Sequence, residues 1–151
     1  MSRKTIAAVA ALLLAAPVLS TAAMAAGYEA QLDPAPFDAT TRAIILGCIG
    51  TATADLQGNT LTIKGTFKDL TSNATAGSVR IGLAKAVPGD AIGTLTVTHA
   101  THGEFSGTVK LNASQIAALK RQSLYIRIDS EKAPDGNLQG WLEETGMGHE
   151  S

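Results

Sequence analysis

Cys48 is the only thiol in the 151-residue chain. A lone cysteine closes no internal disulfide, so burial alone has to stabilise the fold. Aromatic residues are scarce too: Tyr28, Phe37, Phe67, Phe105, Tyr125 and Trp141 are all there are. The core is therefore expected to consist mainly of Ile, Leu, Val and Ala. Six scattered rings predict no stacking platform for sugars or bases, and Tyr125 and Trp141 read as core or half-buried strand residues. Basic excess is also absent. The formal charge is −1, and without the N-terminal Arg3 and Lys4 it becomes −3. Nucleic-acid binding needs a basic face to neutralise phosphates, so a nucleic-acid partner is not expected. No Gly-x-Ser-x-Gly elbow occurs, and the three histidines join no Ser/His/Asp grouping in a fitting strand context. The chain is not expected to be an enzyme.

The long apolar run that is present lies at the N-terminus. Arg3 and Lys4 precede an apolar stretch from Ile6 to Val18, and Ala23-Met24-Ala25 supplies small residues where a signal peptidase reads. This is the tripartite pattern of a secretory signal, with cleavage expected after Ala25. The run is shorter than the ~20 residues a spanning helix needs, and no transmembrane segment is expected in the mature chain. The expected organisation is a signal peptide at 1–25, one β domain at 26–143 and a flexible tail at 144–151. The expected setting is periplasmic or secreted.

The mature sequence reads as short alternating segments punctuated by Gly, Asn, Asp and Pro. A first strand over Tyr28 to Leu32 ends at Asp33-Pro34-Ala35-Pro36, and a second runs from Ile44 to Leu56. Leu61, Ile63, Gly65 and Phe67 alternate with polar residues, the period of a half-buried antiparallel strand. Val79, Ile81 and Leu83 share a face in the next segment. Ile92 to Thr98 and Phe105 to Leu111 form a hairpin around residues 99–104. One helix is predicted over Ser114 to Gln122, capped by Asn112 or Ser114. Strands resume at Leu124 to Asp129 and Leu138 to Leu142. The fold class is all-β: an antiparallel β-sandwich or small Greek-key barrel of about seven or eight strands with one short helix.

The segment Leu124-Tyr125-Ile126-Arg127-Ile128-Asp129-Ser130, followed by Pro134-Asp135-Gly136-Asn137-Leu138-Gln139-Gly140-Trp141, resembles the closing motif of a CHRD domain. That module was first described in chordin and occurs in many exported bacterial proteins. The helix near Ser114 and the strands at Tyr28 to Leu32, Gly50 to Ala54 and Leu61 to Leu70 extend the likeness over nearly the whole mature chain. The resemblance implies an immunoglobulin-like or dismutase-like antiparallel fold and an extracytoplasmic setting, with no established enzymatic activity. Family members usually carry a histidine-isoleucine-histidine strand where this chain has Ser78-Val79-Arg80, and a histidine in place of Asp129. Side chains alternate along strands, so Ser78 and Arg80 share one face, as do Arg127 and Asp129. The expectation is a polar patch in which Arg80 or Arg127 pairs with Asp129, holding the place of a histidine cluster without metal.

Two other features carry chemistry. His99, His102 and Glu104 form His-x-x-His-x-Glu in the hairpin loop, and imidazole and carboxylate suit Cu²⁺ or Zn²⁺. The tail adds Met147-Gly148-His149. Cys48, inside the apolar run from Ala43 to Ile49, reads as a small buried hydrophobe in a strand. The favoured reading is an exported, non-catalytic domain with no cofactor, binding another extracytoplasmic protein or serving a structural role. The alternative is a periplasmic Cu/Zn-binding protein; a dismutase-like redox enzyme is disfavoured by the residues at 78, 80 and 129. The metal reading predicts stoichiometric, sub-micromolar Cu²⁺ or Zn²⁺ binding in a calorimetric titration, abolished by His99→Ala or His102→Ala.

Overall fold

The computed structural model describes residues 26–146. The expected signal peptide and the tail residues Met147, Gly148 and His149 lie outside the described residues.

Period-two alternation builds the strands. β1 (Ala26–Pro34) buries Tyr28, Ala30 and Leu32 and turns Glu29, Gln31 and Asp33 outward. β2 (Ile49–Gln57) buries Ala52, Ala54 and Leu56, and β3 (Thr60–Lys68) buries Leu61, Ile63 and Phe67. β4 (Ala74–Ile81), β5 (Asp90–Val97), β6 (Gly103–Lys110), β7 (Leu124–Ser130) and β8 (Leu138–Trp141) follow, and β9 is the two-residue strand Glu143–Glu144. Neighbours run in the order β2-β3-β6-β5-β4-β7-β8-β1, and β1 returns to β2, so eight antiparallel strands close on themselves. The connections from β3 to β4 and from β6 to β7 join strands that are not neighbours, giving Greek-key crossings. The fold is thus the barrel rather than the open sandwich. Closure leaves no sheet edge to be protected.

The interior is aliphatic. Leu32, Val79, Leu124, Ile126, Ile128 and Leu138 are wholly buried, each contributing about 1.5–3 kcal/mol of transfer free energy. The crossing from β6 to β7 carries α2 (Ala113–Lys120). Its capping box matches the expectation at Asn112: the side chain accepts from Gln115 N at 2.9 Å, and the Gln115 carboxamide accepts from Asn112 N at 2.9 Å. Ala118 and Leu119 are buried in the core, and Ile116 packs against it half-buried.

Three local expectations are corrected. The second strand does not begin at Ile44. Asp38 Oδ1 accepts from the amides and hydroxyls of Thr40 and Thr41, starting a helical turn, α1 (Arg42–Ile45). Gly47 at φ +88° then swings the chain into β2. Cys48 is wholly buried, but in the bend before β2, with Sγ 3.2 Å from the Asp69 carbonyl oxygen. Leu83 does not continue the apolar face of β4; it is 90% exposed in the loop after Ile81. After β8, Glu143 and Glu144 pair with Glu29 and Tyr28.

β8 pairs with β1 at Asp33 and Pro34, β9 pairs at Tyr28 and Glu29, and Gly140 packs between these short ladders. A Cβ at Gly140 would sit 2.3 Å from the Gln31 carbonyl oxygen. Gly140→Ala is expected to destabilise the domain by about 2–3 kcal/mol in urea unfolding, because backbone has to move at the closure. Asn112→Ala is expected to cost about 1 kcal/mol through the lost cap.

Candidate functional site

β7 lies between β4 and β8, with Ser78 opposite Arg127 and Arg127 opposite Gln139. Ile126 and Ile128 point into the barrel, so Tyr125, Arg127 and Asp129 point out. Arg127 is the residue that meets Asp129. Its Nε lies 2.8 Å from Oδ1, and Nη2 donates to Oδ2 at 3.4 Å. The shorter approach is not aligned as N–H···O, so Arg127 Nε and Asp129 Oδ1, like the neighbouring Ser78 Oγ, make no well-directed hydrogen bond among the described residues. The pair is close and only partly wetted, at 21% and 14% exposure. Burial pushes the Asp129 carboxyl above the ordinary carboxylate range, opposed by Arg127 and more weakly by Arg80.

Arg80 is engaged elsewhere. Its Nε donates to the Gly89 carbonyl at 2.9 Å and to Tyr125 Oη at 3.2 Å. Tyr125 Oη also accepts from Gly89 N at 3.0 Å and donates to Gly89 O at 3.1 Å. These contacts fix the Tyr125 ring, and Trp141, its partner across β7–β8, lies on it at 4.3 Å between centroids and 33° between planes. The two rings that the sequence leaves scattered are brought together by register.

Trp141 is half-buried and forms part of a groove of about 640 Å³ on the outside of the barrel. β1 contributes Glu29, Gln31 and Asp33, β2 contributes Thr51 and Thr53, and β8 contributes Gln139 and Trp141. Gln31 faces Thr51, Glu29 faces Thr53, and Asp33 faces Gln139 across their ladders. The loop after β4 supplies Lys85, whose ammonium pairs with Glu143 at the groove's edge. The Gln31 carboxamide donates to Gly50 O at 3.2 Å.

A family model described as the CHRD domain matches residues 21–142. The chain belongs to the CHRD family. No curated protein and no solved structure matches it. CHRD domains are generally non-enzymatic and typically extracellular. The match begins before the expected cleavage point at Ala25 and ends at Leu142, one residue before β9.

This CHRD domain does not gather the hairpin-loop residues into a metal cage. His99 Nδ1 is 2.9 Å from Ala74 O, and Nε2 is 3.5 Å from Glu131 Oε1, so both ring nitrogens face groups outside the proposed triad. His102 and Glu104 line a separate depression with Ile49 and Phe67. Among the described residues no three His, Cys, Asp or Glu side chains converge on a metal-sized site. Gln139, Gly140 and Trp141 of the groove fall in the closing motif, whereas Glu29, Gln31, Asp33, Thr51 and Thr53 carry no motif that marks a site. Alternation over Tyr28 to Asp33 places Glu29, Gln31 and Asp33 on one face, but which strands flank β1 is set by closure and not by local pattern.

Arg127→Met leaves the mostly buried Asp129 carboxyl without its partner. It is expected to lower stability at neutral pH by about 2–4 kcal/mol, more than Asp129→Asn. The folded state holds the Asp129 proton more tightly than the unfolded chain, so this group's contribution to stability is largest below the ordinary carboxylate range. That contribution is lost as pH rises through the raised folded value. Removing Arg127 raises that value further, so the Arg127→Met deficit in urea unfolding is expected to shrink on acidification.

Proposed function

We propose that this CHRD domain is an exported, non-catalytic binding module, and that the groove bounded by β1, β2 and β8 is its binding face. The observation that carries the reading is Trp141: the chain's one tryptophan is half-buried in a groove and held there by Tyr125. Large aromatic rings set in a concave, partly polar surface are the usual furniture of binding sites. A groove of about 640 Å³ falls within the range of small-molecule pockets, roughly 300–1,000 Å³.

The groove's carboxylates support binding over catalysis. Glu29 and Asp33 lie four residues apart on one strand, about 13 Å at the strand rise, beyond the separation of a paired acid and base at a glycosidic bond. Glu143 faces Glu29 but is occupied by Lys85, and Glu29 is exposed. Neither is desolvated as a general acid needs to be. Export is supported by the N-terminal signal pattern and by the family's typical setting.

Fragment screening by NMR on the ¹⁵N-labelled mature domain tests the reading. Hits are expected to shift the Trp141 indole together with the amides of Gln31, Thr53 and Gln139. Hits that cluster instead at the depression lined by Phe67 and His102 would overturn it.

A further inference from the structure

The groove's chemistry narrows what it holds, granted that it is the binding face. We propose that its ligand is a short, neutral oligosaccharide, seated with one sugar face against Trp141 and its hydroxyls bonded to side chains of β1, β2 and β8.

Charge disfavours one class and favours another only weakly. Glu29 and Asp33 stand on the β1 wall, and the Lys85 ammonium is occupied by Glu143. A phosphate or carboxylate ligand would therefore meet uncompensated acids, which disfavours nucleotides despite the stacking surface. An organic cation would meet attraction, but Glu29 and Asp33 are both exposed to solvent. Attraction from such solvated charges is weak and screened by salt. The groups set deeper are Gln139 and Trp141, which are half-buried and uncharged.

What remains favours a ligand that donates and accepts hydrogen bonds at many points while offering a flat apolar face. Gln139 and Thr53 each do both, the carboxylates accept, and the indole N–H donates. These groups come from three adjacent strands, whose lateral spacing of about 4.8 Å spreads them over a ribbon rather than a point. Trp141 supplies the apolar face, and its orientation is set before any ligand arrives, through Tyr125 and the Gly89 backbone. Such pre-setting lowers the ordering cost of binding. A hydroxyl-rich ring with an apolar face fits both requirements.

Isothermal titration of the mature domain with cellohexaose, maltohexaose, chitohexaose and spermine tests this. At least one neutral oligosaccharide is expected to bind saturably, with Kd at or below about 1 mM and little change with salt. Trp141→Ala should weaken it at least tenfold, and Trp141→Phe less. Gln139→Ala, at a half-buried position on the outside of the barrel, should weaken it in a domain of unchanged unfolding midpoint. Spermine binding that falls steeply with salt, with no oligosaccharide binding, would overturn the carbohydrate assignment and leave the groove as the binding face. Failure of all four probes while fragments still map to Trp141 would also overturn the ligand class alone. Oligosaccharide binding indifferent to Trp141→Ala and Gln139→Ala would overturn the placement in the groove.

Discussion

The barrel is closed by β1, which is bonded along one edge to β2 through seven consecutive pairs, Ala26 to Leu32, and along the other to β8 and β9 through short ladders. With a single buried cysteine and no disulfide, this closure is what converts an otherwise open Greek-key sheet into a core with no free edge. Its two sides are unequal. The β2 side is continuous, whereas the β8 side depends on Gly140 approaching the Gln31 carbonyl at a distance that any Cβ would forbid. The absence of a side chain at one position lets the strands converge, and the convergence sets Gln139 and Trp141 beside Glu29, Gln31 and Asp33.

The polar patch on β4 and β7 has a different physical character. A guanidinium and a carboxylate sharing a half-dry surface gain from each other but lose solvation, so the pair adds little net stability and is a severe liability if halved. The raised Asp129 carboxyl expresses that balance: desolvation outweighs the attraction of Arg127. On this patch the domain places groups of opposite charge side by side. The guanidinium repels cations and the carboxylate is already engaged, so the arrangement does not favour a metal. Arg80, the second cation that the pattern suggested for Asp129, instead orders the loop through Gly89 and Tyr125.

Much of the fold was legible in the sequence. Alternation at Leu61, Ile63 and Phe67, the cap at Asn112, and the strands flanking Pro134-Asp135-Gly136 are local signals, and each appears where the local physics puts it. The misreadings have local causes as well. Ile44 and Ile45 have strand-like composition, but the Asp38 carboxylate collects four donors from Thr40 and Thr41 and winds a helical turn first. Leu83 keeps the period of β4, but the strand stops at Ile81 and the chain turns back through residues 82–89. The groove was not legible, because it depends on which strands become neighbours. Tyr125 and Trp141 are sixteen residues apart, and β1 and β8 stand at opposite ends of the domain.

Groove and closure are therefore one structure seen from two sides. Inward, Leu32 and Leu138 seal the core under the β1–β8 join; outward, the same strands present Asp33, Gln139 and Trp141. Anything bound in the groove touches both sides of a two-pair ladder, β1–β8, and, through Lys85, the loop whose Gly89 holds Tyr125. A ligand that binds the closed barrel and not the unfolded chain stabilises it by mass action. Here that stabilisation is delivered across the β1–β8 seam, which is held by only two residue pairs. Recognition and closure thus draw on the same few residues, and a change that loosens the seam also displaces the aromatic wall of the groove.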